Sequence, residues 1–253
     1  MKRIRLKIAY DGTDFSGWQI QKNAVTIQGT IQGALCELLK EDVELIGASR
    51  TDSGVHARGN YAVFDTNTRI PAGKIAVALN QRLPESIRIQ RSEVVDAEFH
   101  PRYQKGTKTY EYTILNTPID IPTESRYCHH VYHSLNVEDM RMAAKKLVGT
   151  HDFSAFCSAG AQVKSKVRTI YYVHVEEKEI PYVEGGKKIV IRIRGNGFLY
   201  NMVRIIAGTL IEVGQGRRQI DSIDLALEEK ERSQAGPTAP AKGLMLMEIR
   251  YHD

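Results

Sequence analysis

In the run Gly47-Ala48-Ser49-Arg50-Thr51-Asp52-Ser53-Gly54-Val55-His56-Ala57, one carboxylate, one guanidinium, three hydroxyls and an imidazole crowd into eleven residues. The run starts where the apolar stretch Val43 to Ile46 ends, and loops at strand ends are where scaffolds usually hold chemistry. Asp52 two residues after Arg50 offers a nucleophile or base beside a cation that keeps it ionised. Gly54 permits a backbone path that other residues resist. Asp, Ser and Gly also build ordinary polar turns, so residue types alone allow both a reactive loop and a plain one.

Other side chains raise narrower possibilities. Tyr110 stands in an apolar, strand-like stretch, where a core aromatic is the ordinary reading. Arg204 sits beside an apolar stripe, so burying it calls for an acidic partner such as Asp52, unless its guanidinium snorkels to solvent. His129, His130 and His133 have no acid or cysteine at ligand spacing, which favours a solvent-facing cluster over a metal site. Gly195-x-Gly197 lacks the third glycine of a dinucleotide fingerprint.

The 253 residues allow one large domain or two modest ones, enough to bury a real core. With 42% hydrophobic and 26% charged residues the chain reads as a soluble globular protein. A formal charge of +5 and a pI of about 9.0 suit a polyanionic partner. Cys36, Cys128 and Cys157 are odd in number and far apart, supporting neither disulfide framework nor zinc site. No apolar run approaches the roughly 20 residues of a membrane span, and the alternation after Met1-Lys2-Arg3 is too polar for a signal peptide. A reducing cytoplasm is the expected compartment.

The elements that must position these residues follow from periodicity. Ile4, Leu6, Ile8 and Tyr10 alternate with Arg3, Arg5, Lys7 and Ala9, predicting a strand whose basic outer face could meet phosphates or solvent. Tyr10 to Gln21 reads as a loop whose aromatics could stack on bases or anchor the loop. Thr26 predicts a helix cap, with Ile27, Ile31, Leu35 and Leu38 as the buried stripe to Leu39. A short strand over Glu44–Ala48, a strand over Asn60–Thr66, a helix from Pro71 to about Arg82 with Ile75, Ala78 and Leu79 inward, and a strand over Ile87–Val95 complete a β-α-β-β-α-β half.

After the extended crossover Phe99 to Tyr103, Thr107–Leu115 predicts a strand with Tyr110, Tyr112 and Ile114 on one face. Residues Ile119–His133 read as an irregular connection, Asn136 as the cap of a helix to about Val148, and Ser158–Lys166 as a mobile, lysine-bearing loop. Val167–Glu177 and Ile189–Arg194 pair across Gly185-Gly186. Phe198–Val213 carries a buried helical stripe at Leu199, Val203, Ile206 and Leu210, Ile220–Lys230 is a shorter helix, and Leu244–Tyr251 a closing strand. The second half thus repeats the first with one extra helix, dividing the chain at 1–104 and 105–253. The expected fold class is α+β: two tandem ferredoxin-like halves joined through a mostly antiparallel sheet, helices on one face and a central cleft.

The string Arg50-Thr51-Asp52-Ser53-Gly54-Val55-His56-Ala57 resembles the signature of the tRNA pseudouridine synthase A family over eight consecutive positions. One departure is Ser49, where the family usually has glycine. The resemblance continues at Tyr10 to Gln21, at His100-Pro101-Arg102 with Lys108-Thr109-Tyr110-Glu111-Tyr112, at Gly195 to Arg204, and at Ala239-Pro240-Ala241-Lys242-Gly243-Leu244. It implies isomerisation of uridine to pseudouridine at positions 38–40 of the tRNA anticodon stem–loop, by a homodimer without cofactor or metal. It implies Asp52 as the catalytic residue, Arg204 as its partner, Tyr110 as the active-site tyrosine and Leu244 as a wall of the uracil pocket. Arg50 would fill the space a flipped base leaves and Tyr110 would stack on the uracil. His56, Arg102 and Lys108 fall in the same motifs as candidate substrate contacts, although a structural hydrogen bond serves His56 equally well.

Two readings of other classes stay open on residues alone. One is a non-catalytic RNA-binding protein of tandem ferredoxin-like modules, which needs no Asp–Arg pair and would show an aromatic RNA-binding string that is missing here. The other is an aspartyl-nucleophile hydrolase or phosphotransferase, which needs acidic metal ligands near Asp52.

Overall fold

The alternation at the N-terminus folds as strand β1 (Lys2–Tyr10), burying Ile4, Leu6, Ile8 and Tyr10. The computed structural model describes residues 1–160 and 163–252, so Ala161 and Gln162 of the expected lysine-bearing loop lie outside the described residues. Helix α1 (Ile27–Leu39) starts at Thr26, whose hydroxyl accepts from Gly29 N–H at 3.2 Å, a cap worth about 1 kcal/mol. Its stripe is Ile27, Ile31 and Leu35, closed by Leu39 and not by Leu38. Strands β2 (Ile46–Gly47) and β3 (His56–Thr66) follow. β3 begins four residues before Asn60 because its antiparallel ladder with β1 continues, through a bulge, to Tyr10 opposite Ala57. Helix α2 (Ala72–Asn80) buries Ile75, Ala76 and Leu79, so Ala76 takes the inward place expected of Ala78. Strand β4 (Ile87–Val95) pairs with β1.

The remaining elements are β5 (Gly106–Asn116), β6 (His129–Val131), α3 (Val137–Lys145), β7 (Gly149–Asp152), β8 (Val167–Glu179), β9 (Lys187–Gly195), α4 (Met202–Gly214), α5 (Ser222–Glu229) and β10 (Leu244–Tyr251). The chain forms two compact units, one of Met1–Gly106 with the segment from Leu246 onward, the other Thr107–Met245. The first carries strands in the order β4-β1-β3-β10, the second β5-β9-β8-β7. Pairing is antiparallel throughout β1, β3 and β4 and throughout β5, β9, β8 and β7, and parallel where β6 joins β5. This is an α+β protein with a mostly antiparallel sheet and five α-helices among the described residues.

Three departures from the local pattern have tertiary causes. Residues Ile119–His133 are not wholly irregular, because Asn116 Nδ2 donates at 2.7 Å to the carbonyls of both Val131 and His133 and draws β6 alongside β5. That also leaves His129 and His130 half-buried: His129 packs edge-on against Tyr112 and His130 Nε2 lies 2.8 Å from Thr117 O, while His133 is exposed. Burial lowers the His129 pKa, aided by Lys242. The helix begun at Asn136 stops at Lys145, since Gly149 turns to φ +123° to open β7.

The basic face of β1 is already occupied. Arg3 makes two hydrogen bonds to Asp65 at 2.9 and 2.7 Å, and Arg5 binds Glu93 at 3.0 and 2.6 Å while lying over the Tyr61 and Phe99 rings. Such part-exposed pairs contribute little stability, but they neutralise two of the cations that the strand would offer to phosphate.

Candidate active site

Asp52 lies on a loop whose backbone is clamped from several sides. Trp18 N–H donates to Thr51 O at 3.0 Å, Ser53 Oγ to Phe15 O at 3.1 Å, and Val55 N–H to Asp52 O at 3.1 Å. Asn60, fully buried on β3, donates to Ser49 O at 3.0 Å and to Tyr10 Oη at 3.3 Å, and Tyr10 Oη shares a 2.7 Å bond with Thr51 Oγ1. The two loops touch so closely that a Cβ on Gly12 would fall 2.1 Å from Val55 O, and one on Gly17, at φ +83°, 2.7 Å from Thr51 O. Phe15 and Trp18 are buried; they anchor this contact and present no stacking surface. Ser49, where the family favours glycine, is absent from the positive-φ residues, so serine adopts the path without backbone strain.

On this frame Arg50 is exposed and Asp52 half-buried, giving a reachable carboxylate with a guanidinium two residues away. His56 opens β3 as a buried side chain. Its Nδ1 accepts from Gly12 N–H at 3.1 Å, and Asp11 Oδ1 is also 3.1 Å away. Both contacts tie the ring to the 10–21 loop. A structural bond between the two loops is therefore what His56 supplies at that atom. Arg102 is exposed and reaches Gly47 O at 3.4 Å, close to the entry of the loop. Arg50, Asp52, His56 and Arg102 all belong to the first unit.

The second unit holds the rest. Tyr110 on β5 is 6% exposed, with its ring edge-on to Phe198 at 5.2 Å, and so counts among the buried aromatics. Lys108 is half-buried two residues earlier. Tyr112 donates its hydroxyl to Pro240 O at 2.9 Å; burial pushes its pKa up against the opposing charge of Arg204. Gly243 permits this contact, since a Cβ there would lie 2.7 Å from the Tyr112 ring, and Leu244 follows as the buried first residue of β10.

Arg204 sits in the first turn of α4. Its Nε donates to Ala239 O at 2.8 Å and its Nη1 to Asn201 Oδ1 at 2.8 Å, while Ala239 N–H donates back to Arg204 O at 3.1 Å. Two neutral oxygens in its own unit thus contact the guanidinium, partners that the sequence did not suggest. The carbonyl of Ala239 is in reach because Gly208 and Gly236 let residues 236–239 cross α4 backbone against backbone. Asn60, Tyr10 and Asn201 were missed as positioning residues. An Asn directly before the apolar run Tyr61–Phe64 was the available signal for Asn60.

A family model described as tRNA pseudouridine synthase matches residues 7–104 and 143–252. That match places the chain in the pseudouridine synthase class, whose members are isomerases. The chain is 49% identical over 251 residues to the tRNA pseudouridine synthase A of Brevibacillus brevis, covering 99% of this chain and 100% of that one. It is 50% identical over 252 residues to that of Ruminiclostridium cellulolyticum, with the same coverage. The chain belongs to the tRNA pseudouridine synthase A family. Among solved structures, the archaeal box H/ACA sRNP Nop10–Cbf5 complex aligns at a TM-score of 0.34 and 12% identity, over 96% of this chain and 46% of that one, too distant to carry an argument. Membership decides the open question of class: the chain is an enzyme that modifies tRNA, not a passive RNA binder or a metal-assisted hydrolase. No described helix is long and apolar enough to cross a membrane.

Proposed function

We propose that this enzyme isomerises uridines at positions 38–40 of the tRNA anticodon stem–loop, with Asp52 as nucleophile. The observation that carries the proposal is a half-buried carboxylate on a loop held by five of the hydrogen bonds described above, two residues from an exposed arginine. Such a loop loses little freedom when substrate binds, so its carboxylate is preorganised for attack. The carboxylate adds to the nucleoside, the N1–C1′ bond breaks with its electron pair going to uracil, and the ring turns. C5 then bonds to C1′, the carboxylate departs, the C5 proton passes to solvent and N1 takes one up. Uracil with its oxygens hydrogen-bonded is an adequate leaving group, so Asp52 needs no cofactor or metal. The same reading makes the enzyme a cytoplasmic homodimer.

Tritium release from tRNA carrying C5-labelled uridine tests the reaction and its position together. Full-length transcripts with uridine only at 38, 39 or 40 are expected to release label, and a transcript with cytidine at all three to release none. Label released from the last transcript rejects the position.

The target base must leave its stack, which costs a few kcal/mol. Arg50, exposed beside Asp52, fills the vacated space in this scheme. Arg50→Ala is expected to lower the single-turnover rate by tenfold or more while weakening tRNA binding by less. Equal losses in both quantities count against the role.

Arg204 is the electrostatic partner of Asp52 in the same scheme, and Tyr110 and Leu244 wall the uracil pocket. A lysine offers one point charge where the arginine's planar fork holds both Ala239 O and Asn201 Oδ1. Arg204→Lys keeps the charge but loses the planar fork, and is expected to lower the single-turnover rate. A parent-like rate excludes the partnership.

A further inference from the structure

Asn201 precedes α4 with φ +60° and ψ +6°, the left-handed region, one of four described residues other than glycine to do so. Asparagine tolerates that conformation better than most residues, but glycine adopts it with no penalty. The backbone therefore does not explain why an amide stands here. Its side chain does. Arg204 is donor-only, so its Nη1 at 2.8 Å requires Asn201 to present Oδ1. The amide then turns Nδ2 the other way, where it meets Ser158 Oγ at 2.9 Å, and Ser158 is itself held by its N–H to Tyr200 O at 3.1 Å. Both ends of the amide are used, and their polarity is fixed by the arginine.

We infer that Asn201 is a positioning residue for the reaction: it holds the Arg204 guanidinium in the orientation catalysis needs, and Ser158 holds Asn201. The inference rests on the reading of Arg204 as the partner of Asp52. With Ala239 O on Nε and Asn201 Oδ1 on Nη1, two of the three guanidinium nitrogens have a fixed acceptor from unit 2, which sets the ring plane of the fork.

Asn201→Gly separates backbone from amide, because glycine keeps the left-handed turn and deletes the side chain. The full-length enzyme is expected to melt at the parent temperature or above and to bind tRNA within about twofold of the parent. Its single-turnover tritium release is expected to fall by tenfold or more. Ser158→Ala, which leaves Arg204 and Asn201 in place, is expected to slow the same step by about threefold. In an Arg204→Lys background Asn201→Gly is expected to add less than twofold, since the group it positions is already gone. A parent rate for Asn201→Gly overturns the inference, as does a loss that multiplies fully in the double variant. A parent rate for Arg204→Lys overturns the reading of Arg204 and this inference with it, whereas a slow Arg204→Lys with a fast Asn201→Gly overturns the inference alone.

Discussion

Asp52→Asn is expected to abolish isomerisation while leaving tRNA affinity within about tenfold, or 1.4 kcal/mol, of the parent. Asparagine keeps the size and much of the hydrogen-bonding capacity of the side chain and removes the nucleophile. The bonds that clamp the loop run through the Thr51 and Ser49 carbonyls, the Asp52 carbonyl and the side chains of Tyr10, Thr51, Ser53 and Asn60, so the loop keeps its shape. Affinity comes from phosphate contacts and stacking over a wide surface, not from one carboxylate. Removing an anion near phosphates tightens binding slightly if it changes it at all. Removing an enzyme nucleophile costs up to on the order of 10⁶ in rate, and a loss of ~10⁴ or more is expected here. The measurement is tritium release beside filter binding, parent against variant, with and without EDTA. Release by the variant within a hundredfold of the parent would sink Asp52 as nucleophile.

The second large effect concerns stability and activity together. A Cβ at Gly208 would lie 1.9 Å from Pro237 O and 3.5 Å from Ala239 N, both backbone atoms that cannot swing aside. In an exposed helix Gly→Ala gains about 1 kcal/mol of propensity. Here the overpacking term, typically 1–3 kcal/mol and larger against rigid backbone, wins. Gly208→Ala is expected to lower the melting temperature by roughly 4–8 °C, at 2–4 °C per kcal/mol for a chain of this size. The strand of chain it displaces carries Ala239 O, the acceptor for Arg204 Nε, so turnover is expected to fall by up to about 10², the effect of an ångström-scale misplacement. Gly33→Ala in α1 is the control: nothing lies within 4 Å of its Cβ, and the same change there is expected to stabilise. A Gly208→Ala enzyme with parent melting temperature and rate refutes the crossing as a constraint.

The sequence by itself determined what depends on neighbours a few residues apart. The sequence placed β4 and β10 to the residue and β1 to within one, and Thr26 and Asn136 marked two helix starts, because side-chain period and capping are local properties of the chain. The eight-residue string around Asp52 carried the family for a similar reason: a loop that must present a carboxylate beside an arginine uses contiguous residues. What tertiary structure decided lies in contacts between distant segments, which leave no local periodicity. Asp65 and Glu93 neutralise Arg3 and Arg5 from strands 62 and 88 residues away. Asn60 and Tyr10 hold the Asp52 loop across separations of 11 and 41 residues. Ala76 displaces Ala78 inward because β4, not the helix alone, chooses the face of α2 that is covered. Arg204 takes its orientation from Ala239, 35 residues on, and only because two glycines allow backbones to touch. Those glycines look like ordinary punctuation in the sequence; the space beside them exists only once the chain has folded.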